Sequence, residues 1–200
     1  MNGALRIRPA APADTDLVTG IITGAFAADP LWSHALARPD GDTSFHPAYW
    51  RLFVDGALRY PTTRLAGDGQ AVAVWIPPGG TEFTDEGEAA LEALVADHLS
   101  GKAAELTALL ELFAAARPAQ PHYYLTLLGT HPHHRGHGIG MDLLRANLAE
   151  WDAEGVPAYL ESSNPANNKR YAGVGFRPRG GFAYPHGGPV VTTMWREPAH

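Results

Sequence analysis

The fold class that this 200-residue sequence predicts is a mixed α/β (α+β) domain, one unit spanning residues 1–200. Three observations predict it. Short apolar or alternating runs stop at glycine and proline turns, as strands do. Longer stretches rich in Ala, Leu and Glu carry apolar residues at three- and four-residue spacing, as helices do. The two kinds interleave along the chain without an internal repeat.

Leu5-Arg6-Ile7-Arg8-Pro9 alternates apolar and charged residues, the period of a half-buried strand, and Pro9 ends it. Asp14 or Thr15 then caps a helix that turns Leu17, Val18, Ile21, Ile22 and Phe26 to a core and stops at Asp29-Pro30. Residues 30–60 are helical and aromatic-rich, with Trp32, Phe45, Tyr49, Trp50 and Phe53, interrupted at Pro39-Asp40-Gly41. Residues 62–66 and 70–76 form a hairpin around Gly67-Asp68-Gly69, its second arm nearly all apolar. Between 85 and 116, Leu91, Leu94 and Val95, then Leu106, Leu109, Leu110 and Phe113, mark two helices split at Ser100-Gly101. Residues 117–121 are their exit loop. An apolar strand at 123–130, a glycine-rich turn, a helix at 138–153 and a strand at 156–162 follow. A short helix holding Tyr171 and a hairpin built from 182–184 and 190–195 close the chain.

Hydrophobic residues make up 45% of the chain, enough for one sizeable core. No apolar run reaches membrane-spanning length and the start lacks a signal-peptide pattern, so a cytoplasmic protein is expected. With no cysteine, disulfides, thiolate metal sites and an acyl-cysteine are excluded, and direct attack by the substrate becomes the simpler mechanism for any acyl transfer. A net charge of -6 with scattered arginines argues against a nucleic-acid backbone or an anionic membrane as partner; a cationic small molecule is compatible with it. Monomer and homodimer both remain open.

The chemically informative stretch is Leu128-Gly129-Thr130-His131-Pro132-His133-His134-Arg135-Gly136-His137-Gly138-Ile139-Gly140. Glycines at 136, 138 and 140 let the backbone curve so that successive N–H groups converge where a helix begins, which favours a phosphate. Glycines at such a turn also serve close packing alone. An ATP-binding loop would need Lys and then Ser or Thr after its last glycine, where Met141-Asp142 stands. A dinucleotide fingerprint would need glycine at 141; Glu161 does sit where such folds keep a ribose-binding acid, but too little chain follows for a doubly wound sheet.

The pattern Arg135-x-x-Gly138-x-Gly140, between an apolar strand and an amphipathic helix, resembles the coenzyme A signature of the GNAT N-acetyltransferase family. Leu128 to Pro132 resembles the end of that family's fourth strand. Asn164, Tyr171 and Gly175-Phe176 resemble its later asparagine, tyrosine and glycine-phenylalanine pattern. Within the family the layout is most similar to puromycin N-acetyltransferase and its relatives, through Ala71-Val72-Ala73-Val74-Trp75, the helical insert after it, and residues 155–161.

The resemblance implies a mixed sheet of about six to seven strands, flanked by helices, in which two parallel neighbours splay. It implies acetyl-CoA as cosubstrate and no metal. Leu128, Gly129, Thr130, Arg135, Gly136, His137, Gly138, Ile139, Gly140, Asn164 and Asn167 are the expected coenzyme contacts. Tyr171 is the expected acid for the departing thiolate, its phenol pKa of about 10 being near that of a thiol. Glu161 is the first choice of base, with His122 and His34 as alternatives; an edge carboxylate and a packing tyrosine are the plainer readings. The histidines at 131, 133, 134 and 137 are expected to face solvent rather than bind metal. Trp32, Trp50, Trp75, Tyr124 and Tyr184 are candidates for an acceptor wall, although most such aromatics are core. The implied reaction moves acetyl to a primary amine of a small molecule, an antibiotic or nucleoside if the subgroup likeness holds. Alternatives are a silent acyl-CoA-binding module and an acetyltransferase acting on proteins or peptides.

Overall fold

A computed structural model describes residues 5–199. Seven strands, β1 (Ile7–Pro9), β2 (Arg64–Ala66), β3 (Ala71–Ile76), β4 (Tyr123–Thr130), β5 (Ala158–Ser162), β6 (Arg177–Ala183) and β7 (Val190–Arg196), form one sheet in the order β1-β2-β3-β4-β5-β7-β6. Only β4 and β5 run parallel; every other pair is antiparallel. The helices are α1 (Thr15–Phe26), α2 (Pro30–Ala35), α3 (His46–Ala57), α4 (Asp85–Leu99), α5 (Ala103–Ala116), α6 (Ile139–Ala153) and α7 (Asn168–Ala172). This is the expected mixed α+β class, with the strand count at the upper end of the expectation.

β3 shows why its sequence is apolar throughout: it is covered on both faces. Val72, Val74 and Ile76 join the core under α1, α3, α4 and α5, while Ala71, Ala73 and Trp75 join a second core under α6. Full burial of each branched side chain contributes about 1.5–3 kcal/mol. Trp75 is buried without leaving its ring N–H unpaired, since Nε1 donates to Asn147 Oδ1 at 2.9 Å.

Two local expectations change. α1 ends at Phe26, and Asp29-Pro30 opens α2 rather than stopping α1: Asp29 Oδ1 accepts from the N–H groups of Leu31 and Trp32 at 3.0 and 3.2 Å. Leu17 is 39% exposed, because the stripe of Val18, Ile21 and Ile22 already fills the side of α1 that meets the sheet.

The side chains of β4 do not alternate strictly between the faces of the sheet. Tyr123 and Leu125 share the α6 face, yet Leu127 lies on the opposite one. Val74 and Trp75 on β3 face Leu127 and Leu125 on β4, so Thr126 is an extra residue, a bulge that moves every later side chain to the other face.

Candidate active site

The bulge falls where the two parallel strands part. β4 pairs with β5 only from Tyr123↔Ala158 to Leu125↔Leu160, whereas β4 continues beside β3 to Thr130 and β5 beside β7 to Ser162. A bulged strand bends and twists more strongly, so Thr126 supplies a physical cause for the divergence. From Thr126 onward the β5 side of β4 has no strand partner, and its backbone groups remain available to amides of a ligand. Leu128, Gly129 and Thr130 lie on this segment. Gly129 is needed for packing as well: a Cβ there would sit 3.0 Å from Ile22 Cδ1 and 3.1 Å from Ala25 Cβ.

β4 leads into a single tight turn at Pro132–His134 and then the glycine loop. Gly136 and Gly138 adopt φ of 83° and 78°, with Gly138 as the N-cap of α6. Its left-handed backbone turns the chain into α6 with the helix's first N–H groups pointing out of its N-terminus. Gly140 serves a different need: a Cβ would lie 2.5 Å from Thr130 Oγ1, so only glycine lets α6 approach the end of β4 this closely. Gly136, His137 and Gly138 are exposed, and Ile139 is half-buried against the α6 core. The loop therefore has the open backbone and helix N-terminus that a pyrophosphate requires. Arg135 is tied down: its guanidinium donates to the carbonyls of Gly24 at 2.7 Å and Ala25 at 3.3 Å, which anchors the loop to the C-terminal turn of α1.

At the other side of the splay, Asn164 Oδ1 accepts from Ala166 N at 3.0 Å and so caps the turn that leads into α7. Asn167 Oδ1 accepts from Arg170 at 2.9 Å. Tyr171 is positioned from behind. Gly175 at φ 98° reverses the chain, Phe176 N donates to the Tyr171 carbonyl at 3.1 Å, and the fully buried Phe176 ring fixes the turn in the α6 core. Burial, with the charge of Asp29 adding to it, pushes the Tyr171 phenol up to about 12. The group thus keeps its proton across the neutral range and is a weaker acid than a free phenol. A thiolate leaving in the same desolvated space is raised by the same cause, which narrows the gap between the two.

Glu161 and Tyr171 line one cavity of about 920 Å³ that begins at the splay and runs between β4, β5 and the α4–α5 wall. Glu161 extends from β5 on the same face as Tyr159, one residue past the last β4–β5 pair. Burial pushes its carboxyl up to about 7, with the Tyr124 hydroxyl and the Arg117 charge pulling the other way. Its Oε1 is shielded from solvent and has no hydrogen-bond partner among the described residues. A carboxylate poised at neutrality on a cavity wall is suited to accept a proton.

The sequence reading missed what surrounds it. Arg117 pairs with Glu82 at 2.6 Å and lies over the Tyr124 ring, its Cζ 4.0 Å from the centroid. The other Glu82 oxygen accepts from the hydroxyl of Thr126. Arg117 reads in sequence as a loop residue after a helix, and Glu82 as one more acid before the next helix. Only the fold brings them to the β4 bulge.

Other expectations sort by the same geometry. His122 is buried between Tyr159 and Trp195, hydrogen-bonds to the Gln120 carbonyl through Nδ1 at 2.6 Å, and does not line the cavity; burial lowers its pKa. His34 is exposed and packs edge-on against Tyr184, also outside the cavity. In the loop, His131 Nδ1 accepts from the backbone of His133 at 3.3 Å, a local turn contact. Of the aromatic candidates, Trp32, Trp50 and Tyr124 line the cavity, whereas Trp75 lies in the α6 core and Tyr184 donates to Glu105 at 2.9 Å.

Residues 73–176, just over half of the chain, match the model of the acetyltransferase (GNAT) family. Many solved structures share the whole fold, among them the following three. Arylalkylamine N-acetyltransferase 2 from Aedes aegypti superimposes with a TM-score of 0.70 at 15% identity, over 98% of this chain and 100% of that one. The polyamine N-acetyltransferase of Drosophila melanogaster, which catalyses formation of N-acetylagmatine, gives 0.66 at 16%, over 96% and 99%. A Corynebacterium glutamicum protein described as histone acetyltransferase HPA2 and related acetyltransferase gives 0.65 at 23%, over 99% and 98%. At these identities the likeness speaks for the fold.

Proposed function

Because the chain belongs to the acetyltransferase (GNAT) family, we propose that it transfers acetyl from acetyl-CoA to a primary amine of a small molecule by direct attack in a ternary complex. When bound, acetyl-CoA supplies the acyl group as an activated thioester. The unpaired edge of β4 from Leu128 to Thr130 holds amides of its pantetheine arm, and the open N–H groups of residues 136–140 at the start of α6 hold its pyrophosphate. Asn164 and Asn167 border the same cavity and flank the arm. Glu161 takes the proton of the incoming ammonium, directly or through water, and Tyr171 holds the proton that the departing sulfur needs.

The observation that carries this reading is that Glu161 and Tyr171 share one cavity that opens at the β4–β5 splay, with their protonation states complementary at neutral pH. The named activities of the fold relatives, an arylalkylamine and a polyamine N-acetyltransferase, support a small amine as acceptor. The layout likeness to puromycin N-acetyltransferase extends the proposal to an antibiotic or nucleoside amine and a role in resistance or self-protection.

Thiol release from acetyl-CoA in the presence of an amine panel tests the reading. Amine-dependent release is expected, reduced at least about 100-fold in Glu161→Gln. Acetyl-CoA binding without release under any amine would leave only a silent acyl-CoA-binding module. Stronger competition by peptides than by small amines would move the acceptor to proteins.

A further inference from the structure

Resting on the acetyl-transfer reading, we infer that the acceptor is a primary amine on a bulky apolar or aromatic body, carrying neither a free carboxylate nor a second ammonium group. The walls beyond the Glu161 and Tyr171 end of the cavity decide this. Trp32, Phe83, Leu91, Leu106, Leu110 and Phe113 line it from four different elements or loops, and Trp32 and Phe113 stack with centroids 5.7 Å apart and planes 13° apart. Such a surface gains free energy by covering apolar area and gives a polar chain nothing to bond.

Charge narrows the class further. Three arginines line the cavity: Arg117 is paired with Glu82, whereas Arg135 and Arg170 bond only to neutral groups, the carbonyls of Gly24 and Ala25 and the amide of Asn167, and keep their charge on the side of the splay given to the coenzyme. A free carboxylate next to the reacting amine would face Glu161 and Glu82, and the cation beside them, Arg117, is already paired. A carboxyl masked as an amide or ester escapes that penalty. Of the cavity's other acids, Asp29 is taken up by the N–H groups of Leu31 and Trp32 and the hydroxyl of Ser163, and Glu88, Glu92 and Glu111 are exposed at its solvent side, where water and salt screen a second ammonium. They draw cations toward the mouth without binding one tightly. A polyamine would have to lay its middle nitrogen or its polar stem along leucine and phenylalanine.

The test compares 2-phenylethylamine, phenylalaninamide, phenylalanine and spermidine in the thiol-release assay, with acetyl-CoA binding measured separately by calorimetry. The first two are expected to exceed the last two by about 100-fold or more in kcat/KM, and Phe113→Ala is expected to raise KM for 2-phenylethylamine at least 10-fold while leaving acetyl-CoA affinity unchanged. Preference for spermidine or for phenylalanine overturns the substrate class and leaves the acetyl-transfer reading in place. Silence with all four, acetyl-CoA binding intact, overturns the substrate class, and the acetyl-transfer reading falls with it only if the wider amine panel is silent too.

Discussion

The hydroxyl of Thr126, the extra residue that bulges from β4, donates to the carboxylate of Glu82, whose second oxygen holds Arg117. One side chain thus links the distortion that opens the sheet to the ion pair beside the candidate base. The bulge turns Leu127 and Leu128 onto new faces and frees the backbone beyond Leu125. The ion pair fixes a cation near Glu161, where it resists the rise that burial alone produces. The opening of the sheet and the surroundings of the proposed base share a hinge point.

Thr126→Val keeps shape and β-branching but removes the donor. Glu82 retains Arg117, so the expected loss of stability is about 1.5–3 kcal/mol, the value of a hydrogen bond to a charged group. Without that tether the bulge gains alternative registers, and KM for acetyl-CoA should rise more than kcat falls. Chemical denaturation and initial-rate kinetics on the same preparation check both parts; a fall in kcat alone would place the link on the acceptor side only.

Glu161 gives a pH prediction of fixed sign. Its folded pKa, about 7, lies above the ordinary 4.5, so between these values the native state binds more proton than the unfolded chain. Its contribution to stability is present below 4.5 and is lost as pH rises through 7. Activity runs the other way: kcat/KM should climb through a pKa near 7 as the carboxylate forms. Glu161→Gln should flatten the acid limb, lower kcat by about 100-fold or more, and be more stable than wild type at pH 8.5 by on the order of 1–2 kcal/mol, the full shift being discounted for partial exposure. Urea midpoints at pH 4.5 and 8.5, beside the rate profile, separate this from a structural edge carboxylate, whose loss would destabilise at both.

Arg117→Gln removes the cation that opposes that rise. The acid limb should then move upward by about one unit, and stability should fall by about 2–3 kcal/mol because Glu82 is left part-buried without its partner. An unchanged acid limb in a folded variant would detach Arg117 from the base.

The glycine turn at the start of α6 and the reversal behind Tyr171 were legible in the sequence because they are written in local, contiguous chemistry. Glycines 136, 138 and 140 between an apolar strand and an amphipathic run announce their turn, and Gly175-Phe176 announces the reversal behind Tyr171. The helix pair at 85–116 was legible from its period. The bulge was not: Thr126 sits in a nearly continuous apolar run with nothing to mark an extra residue, and only the register against Val74 and Trp75 exposes it. Nor was the Glu82–Arg117 pair, 35 residues apart in sequence and meaningful only once α4 and α5 fold back over the splay. Asp29 read as a stop signal for the same reason. An Asp-Pro dipeptide ends one helix or begins another equally well, and its second role, accepting from Ser163 at 2.8 Å across the site, depends on tertiary structure.

Tyr171→Phe isolates the phenolic proton. The ring lies against the α6 core and its hydroxyl makes no hydrogen bond within the described residues, so removing the oxygen should leave stability within about 0.5 kcal/mol of wild type. Turnover should fall by about 100-fold while acetyl-CoA affinity holds. Equal loss of turnover and affinity would return Tyr171 to a packing role.

The two glycines that open α6 are required for different reasons, and alanine distinguishes them. At Gly138 an added Cβ meets no atom within 4 Å, so the whole penalty is the left-handed backbone at φ 78°, about 1–2 kcal/mol. At Gly140 the backbone is helical and the penalty is contact, a Cβ 2.5 Å from Thr130 Oγ1. Both variants should weaken acetyl-CoA binding, the first by turning the N–H groups of the loop, the second by pushing α6 off the end of β4. Thr130→Ala takes away the clashing oxygen and should therefore restore stability and acetyl-CoA affinity to Gly140→Ala but not to Gly138→Ala. Calorimetric titration of acetyl-CoA across the five proteins, together with their melting temperatures, reads this directly. Rescue of both glycine variants, or of neither, would show that the start of α6 is not held against β4 through the Gly140–Thr130 contact.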